Sequence, residues 1–256
     1  MTRRRFIADT CTSTTATITR DQATHLARVL RATPGQIYDI VANGFLHRAE
    51  IISVNENEVL FALHEELESE SALPLHLLLA VFKFDHMEWA IEKATELGIT
   101  RITPILARRT EKHLAQAAHK RSERWRRIAL EASKQSRRTT IPEIPTPATL
   151  KVAIEQETTT PTRILLSETE QFTTLTTALS DSASNNSGLV PAQPYVSIAP
   201  VSITHALAVG PEGGWAAEEM SLFTQHQWQP VTLGPRILRA ETAAIAAIAI
   251  ASAHLS

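Results

Sequence analysis

The sequence predicts an α/β chain in two parts, a small β-barrel-like module over residues 1–72 and a larger domain on a parallel sheet over residues 73–256. Three observations carry this prediction. Short alternating segments and hairpin signals fill residues 36–63, apolar runs alternate with helical-period segments from Leu75 onward, and two Gly-Pro turns each follow an apolar run.

In the first module, Thr15–Thr19 reads as a strand, and Asp21 reads as the cap of a short helix carrying His25, Arg28 and Arg31. Gln36–Val41 leads into Asn43-Gly44, the dipeptide that best tolerates the two positive φ angles of a tight hairpin turn. Phe45–Val54 and Glu58–Leu63 continue the meander. Glu65–Ser71, acidic and poor in apolar residues, reads as a linker.

Beyond it, Leu75–Phe82 is continuously apolar, as a strand buried on both faces requires. Met87, Ala90, Ile91, Ala94 and Leu97 repeat at helical spacing, and Gly98 ends that helix. Ile99–Leu106 is the next strand and Ser122–Gln135 the next helix, with Trp125, Ile128, Ala129 and Ala132 inward. Strands at Arg163–Ser167, His205–Val209 and Val231–Leu233, and helices at Ala216–Gln227 and Ala243–Ala253, complete the alternation. Phe172–Thr204 is rich in Ser, Thr, Ala, Asn and Pro without a clear period, and Ser180–Pro194 reads as a mobile loop or insertion.

Composition bounds the function. The single Cys11 excludes an internal disulfide, no apolar run reaches the roughly 18 residues of a membrane span, and the basic start Arg3-Arg4-Arg5 lacks the apolar core of a signal peptide behind it; a cytoplasmic protein is expected. The net charge of -2 conceals segregation. Residues 1–31 hold six Lys/Arg against two acids, and residues 101–138 hold twelve against three, so the remainder is acidic. Two basic segments on an acidic protein point to a polyanionic partner if they meet in space.

The chemistry-bearing motifs are Gly210-Pro211-Glu212-Gly213-Gly214-Trp215 and Leu233-Gly234-Pro235-Arg236-Ile237-Leu238-Arg239-Ala240-Glu241-Thr242-Ala243. Four of the eight glycines fall between positions 210 and 234, where they let the backbone approach a ligand closely. Both turns follow strands of a parallel sheet, the usual place for its ligands. The chain has neither a Gly-rich loop ending in Lys-Ser/Thr nor a GxGxxG fingerprint, so phosphate binding is not called for. The ten histidines show no metal-ligand spacing, and no Gly-x-Ser-x-Gly elbow is present.

These two motifs together resemble the RsmE family, SPOUT-class methyltransferases that use S-adenosylmethionine to methylate N3 of a uridine in 16S ribosomal RNA. Other stretches share the resemblance: His25-Leu26-Ala27-Arg28-Val29-Leu30-Arg31 with Pro34-Gly35, Asp85-His86-Met87-Glu88, Lys93-Ala94-Thr95-Glu96-Leu97-Gly98, Gln135-Ser136-Arg137-Arg138 and Ile141-Pro142-Glu143-Ile144. It covers nearly the full chain outside the low-complexity stretch.

The resemblance implies a PUA-like N-terminal domain, a SPOUT-type C-terminal domain with a trefoil knot, a homodimer, and action on the small ribosomal subunit without metal or membrane. S-adenosylmethionine is then expected on Leu166, Ser167 and Glu168, on Gly210, Pro211, Glu212, Gly213 and Gly214, and on Leu233, Gly234, Ile237, Leu238, Arg239, Ala240 and Thr242, largely through backbone groups. Arg239 is the expected stabiliser of a developing uracil anion, with Glu212 and Glu241 as the alternative base or cofactor-orienting groups. Each also fits a structural role, Arg239 through an ion pair with Glu241 or Glu212. Arg3, Arg4, Arg5, His25, Arg28, Arg31, Gln135 and Arg138 are the expected RNA contacts, with Arg108, Arg109, Arg127, Lys134 and Arg137 as further phosphate partners. Lys134, Arg137 and Phe84 depart from the family pattern and bear on target-loop contacts. Two rival readings remain open: a SPOUT enzyme with another target, such as a ribose 2'-hydroxyl or transfer RNA, and a non-catalytic RNA-binding assembly factor.

Overall fold

A computed structural model of the chain describes residues 4–69, 72–185 and 201–255. Contacts divide it into two compact units, residues 1–71 with 133–140, and residues 72–132 with 141–256.

The smaller unit is a six-stranded sheet in the order β1-β4-β5-β6-β3-β2. Its strands are β1 (Arg5–Ile7), β2 (Thr10–Cys11), β3 (Thr15–Thr19), β4 (Ile37–Ala42), β5 (Phe45–Val54) and β6 (Glu58–Leu67). The β4–β5 hairpin turns at Asn43 and Gly44, with φ of 52° and 85°, as the Asn-Gly pair predicts. β6 runs four residues past the expected end at Leu63, and Arg48 of β5 pairs with Glu65, so the first three residues of the acidic stretch read as a linker, Glu65–Leu67, are strand. Two register shifts bend β5 around a core of Ile18, Leu26, Ile40, Ile51 and Phe61. Helix α1 (Arg20–Thr24) passes directly into a π-helical turn, His25–Val29. Thr19 rather than Asp21 stands at its N-cap position, and Asp21 lies in its first turn.

The larger unit carries a wholly parallel sheet, β12-β10-β11-β7-β8-β9, made of β7 (Leu73–Ala80), β8 (Ile99–Leu106), β9 (Ala148–Thr149), β10 (Thr162–Leu166), β11 (His205–Val209) and β12 (Gln229–Val231). The helices are α2 (Phe84–Glu96), α3 (Lys112–Gln135), α4 (Leu150–Gln156), α5 (Leu175–Asn185), α6 (Ala217–Gln225) and α7 (Ala240–Leu255). β7 is buried on both faces, as its unbroken apolar run predicts. Leu75, Leu77 and Leu79 join one core with Met87, Ile91, Trp125 and α7, while Leu78 and Ala80 join a second with Leu150, Ile154 and Phe223. Ala244, Ala247 and Ala251 keep the buried stripe of α7 thin, and α7 packs on α2 and β7.

Several expectations are corrected. The stretch after Phe172 lacks an obvious period yet contains α5, whose Leu175, Ala178 and Leu179 are buried at helical spacing. Of the loop expected at Ser180–Pro194, the first six positions are helical, and positions 186–194 lie outside the described residues. β12 ends at Val231 rather than Leu233, and α7 begins at Ala240 rather than Ala243, so Ala240, Glu241 and Thr242 form a first helical turn instead of loop.

One buried polar network crosses the second core. His76 on β7 lies with Nδ1 2.7 Å from Glu157 Oε1 and Nε2 2.7 Å from the Thr103 hydroxyl. The Thr160 hydroxyl donates to the other Glu157 oxygen at 2.7 Å. Both Glu157 oxygens and both His76 nitrogens are therefore occupied, which is what burial of such groups demands.

Candidate functional site

Three neighbouring strands of the larger unit, β12, β10 and β11, end at one edge of the sheet, and each runs into one of the motif loops. Leu166 closes β10, and the Ser167 amide donates to the Val231 carbonyl at 3.0 Å, tying the first loop to the third. The expected ligand positions Leu166–Glu168, 210–214 and 233–239 are thus brought to one carboxyl edge, where a parallel sheet places its ligands.

The 210–214 loop is shaped by its own sequence. The Gly214 amide donates to the Pro211 carbonyl at 2.8 Å and closes a β-turn, leaving Gly214 at φ +69°, a conformation disfavoured for other residues. A Cβ on Gly210 would lie 3.1 Å from Trp215 Nε1. That indole cannot retreat easily, because it stands edge-on to Phe223 at 5.0 Å, which in turn meets Trp228 at 5.3 Å. Gly210→Ala should therefore cost about 1–3 kcal/mol of stability by overpacking and weaken ligand binding at the turn. Thermal melting with and without ligand checks this; an unshifted melt would show that the indole yields.

Two further groups brace the loop. Arg109, after β8, donates through Nη1 to the Gly213 carbonyl at 2.6 Å. Glu219, 4% exposed in the first turn of α6, accepts the Arg108 amide at 2.9 Å on one oxygen and the Ala216 amide at 2.8 Å on the other. Ala216 has no side-chain acceptor, so only the carboxylate half of a capping box forms. A cleft of about 160 Å³ lies beside this bracing, with Phe82, Arg109, Leu114 and Glu212 in its walls.

Residues 233–239 adopt no regular secondary structure, so their backbone groups are not committed to a ladder. Gly234 has φ +113° and nothing within 4 Å of where a Cβ would stand. Ile237 is 85% exposed and Arg239 is exposed. Among the described residues Arg239 makes no ion pair with Glu212 or Glu241, contrary to the structural alternative for it. Glu241 instead lies buried at 4% exposure, with Oε1 3.2 Å from His86 Nδ1 on α2, and His86 Nε2 is 3.7 Å from Asp85.

Residues 69–252 match the model of the RNA methyltransferase domain, and residues 18–63 that of the RNA methyltransferase PUA domain. The ribosomal RNA small subunit methyltransferase E of Synechocystis is 34% identical over 94% of this chain and 74% of its own length. This chain belongs to the ribosomal RNA small subunit methyltransferase E family. The Bacillus subtilis member is 31% identical over 93% of the chain and 90% of its own. The crystal structure of the Neisseria gonorrhoeae member, bound to S-adenosyl methionine, superposes with a TM-score of 0.74 at 26% identity, covering 97% and 96% of the two chains. The chain thus combines the family's PUA domain with its α/β methyltransferase domain.

The smaller unit gathers parts of both basic segments. Arg5 Nη1 donates to the Arg137 carbonyl, so the two stretches meet here. Arg4, His25, Arg28, Arg31 and Gln135 are exposed. Arg28 pairs with Glu56 at 2.6 Å, an exposed contact of small net worth that a phosphate can replace. Arg138 is half-buried, and burial lowers its pKa to about 10, still charged at neutral pH. Arg3 lies outside the described residues. Arg108, Arg109 and Arg127 belong to the larger unit, all exposed.

Sequence reasoning missed Glu219, His86 and the bracing role of Arg109. The Ala216-x-x-Glu219 spacing opening a helix was a readable signal for the first. The others depend on contacts between distant segments. No group of three potential metal ligands occurs among the described residues, and none of their helices is long and apolar enough to cross a membrane.

Proposed function

We propose that this chain is an S-adenosylmethionine-dependent methyltransferase that methylates N3 of a uridine in the 16S ribosomal RNA of the small ribosomal subunit, acting as a homodimer in the cytoplasm. The convergence of the two Gly-Pro loops and the β10 loop at one sheet edge, in a member of this family, carries the reading. The residues present fit the cofactor: the open space over Gly234 and the absence of a strand ladder along 233–239 leave room for a ligand held by main-chain groups. Membership of this family supports the expected knotted arrangement of the larger unit.

When bound, S-adenosylmethionine supplies an activated methyl group on its sulfonium. The protein's tasks are alignment of N3 with that methyl carbon and management of the N3 proton. Leu166, Ser167, Glu168, Gly210–Gly214, Leu233, Gly234, Ile237, Leu238, Ala240 and Thr242 serve the first task. Arg239 serves the second, since an exposed guanidinium without an acidic partner can stabilise charge developing on the uracil. Glu241, buried against His86, is better placed to fix the start of α7 than to take a proton from substrate. Arg4, Arg5, His25, Arg28, Arg31, Gln135 and Arg138, with Arg3, form the RNA-binding set.

Mass mapping of 16S rRNA from cells lacking the protein tests the reading. Loss of one methyl from a uridine base is expected. Unchanged 16S rRNA overturns it, and loss of a ribose or transfer RNA methyl selects the other-target reading instead. RNA affinity should fall steeply with salt, by a log–log slope of about -0.7 for each single-strand phosphate neutralised; a flat response removes the basic set from the interface.

A further inference from the structure

We propose that Glu219 and Arg109 are positioning residues for S-adenosylmethionine, forming a two-point clasp that holds the 210–214 turn in its binding shape. This rests on the reading that the cofactor binds at that turn.

The turn has weak means of holding itself. It is closed by a single internal hydrogen bond, and three of its five residues are glycine, which carries the largest conformational freedom to be lost. A loop that binds through backbone amides must present them in fixed directions, or ordering it will consume binding energy. Arg109 seizes the Gly213 carbonyl, and its Cδ lies 3.5 Å from the position of a Gly213 Cβ, so the guanidinium stem also covers the glycine. Glu219 uses both carboxylate oxygens on amides from two segments, Arg108 and Ala216, immediately before and after the parts to be joined.

The two contacts are complementary. Arg108 and Arg109 are consecutive, so the amide held by Glu219 and the guanidinium holding Gly213 belong to one short segment after β8. The 107–110 segment is itself fixed, because the Thr110 hydroxyl donates to the Val81 carbonyl at 2.9 Å and its amide to Ala107 at 3.1 Å. Glu219 anchors the far end of the turn to this segment, and Arg109 anchors its middle. Both bonds are charge-assisted, and that of Glu219 is buried, where such bonds are strongest. Neither side chain need touch the cofactor to set its affinity.

The test compares calorimetric S-adenosylmethionine binding and steady-state kinetics of full-length wild type, Glu219→Gln, Arg109→Ala and Arg109→Lys. Glutamine offers one acceptor and one donor to two amide donors, so one clasp bond must break. Glu219→Gln and Arg109→Ala should each weaken cofactor binding about tenfold, the scale of one charge-assisted hydrogen bond, raising KM with kcat at saturation nearly unchanged. Arg109→Lys, which can still reach the carbonyl with one donor, should recover part of the loss. Glu157→Gln, which disturbs the buried network on the same face of the sheet but toward the amino ends of the strands, controls for general loosening and should leave cofactor affinity unchanged. Wild-type affinity in both clasp variants overturns the proposal, as does an equal loss in Glu157→Gln. Should Glu219→Gln fail to fold, the exposed Arg109 pair decides alone. If the wild-type chain itself binds no S-adenosylmethionine, the functional reading falls and takes the clasp with it, a result distinct from a wild type that binds and variants that bind equally well.

Discussion

Arg239→Ala is expected to lower turnover about 10²–10³-fold at saturating S-adenosylmethionine, the usual cost of removing one preorganised charge stabiliser, while cofactor affinity changes little. Uracil N3 carries a proton at neutral pH and becomes nucleophilic only as that proton leaves. Negative charge then develops on the ring, and in the role proposed for Arg239 its permanently charged guanidinium would interact more strongly with the transition state than with bound substrate. Arg239 is exposed and has no carboxylate among the described residues to neutralise it, so in the proposed role it would not first have to break an ion pair. Arg239→Lys keeps the charge but loses the planar fork and should recover activity only in part. Single-turnover methylation of small-subunit particles from cells lacking the enzyme provides the measurement; unchanged turnover in Arg239→Ala removes its assigned role.

His76→Ala should destabilise the larger unit by about 3–5 kcal/mol, because it leaves the buried Glu157 carboxylate without its principal partner. Burial pushes the Glu157 carboxyl up, but the hydrogen bond and charge of His76, with smaller help from Thr160 and Arg101, outweigh it and hold the group below its ordinary range. A carboxyl with a lowered folded pKa contributes stability that is fully present above the unfolded value, about 4.3, and is lost as pH falls through the folded value. Wild type should therefore lose stability below that point more steeply than His76→Ala, whose carboxyl no longer gains from ionising. Thermal melts between pH 3 and 7 distinguish the two slopes, and parallel curves would show that the pair contributes nothing.

Strands with clear punctuation were legible from sequence. Thr15–Thr19, Phe45–Val54, Ile99–Leu106 and His205–Val209 are found at the expected bounds because each is an apolar or alternating run between turn residues. β1 and β2 were invisible, since two or three residues carry no period. α4 and α5 were missed because one is only seven residues long and the other hides its buried Leu175, Ala178 and Leu179 among Ser and Thr. Of the site, the glycine turns were readable because backbone shape demands particular residues there. The clasp was not, because Arg108 and Glu219 are 111 positions apart and meet only through the sheet. Glu241 shows the same limit: its motif is obvious, yet its burial against His86 depends on α7 packing beside α2.

The strand order has a consequence for how the protein is made. β12 and α7 leave the ribosome after the other described elements of the larger unit, whereas their partners β10 and α2 emerge much earlier. The nascent chain must therefore wait with an unfinished sheet edge and the α7-facing side of α2 uncovered until these two elements arrive, and parallel pairing over such separations is slow. In the proposed reading cofactor binding accordingly reports that synthesis has passed β12: a chain truncated between β11 and β12 keeps β7, β8, β10 and β11, yet lacks the 233–239 loop proposed to hold the methyl donor.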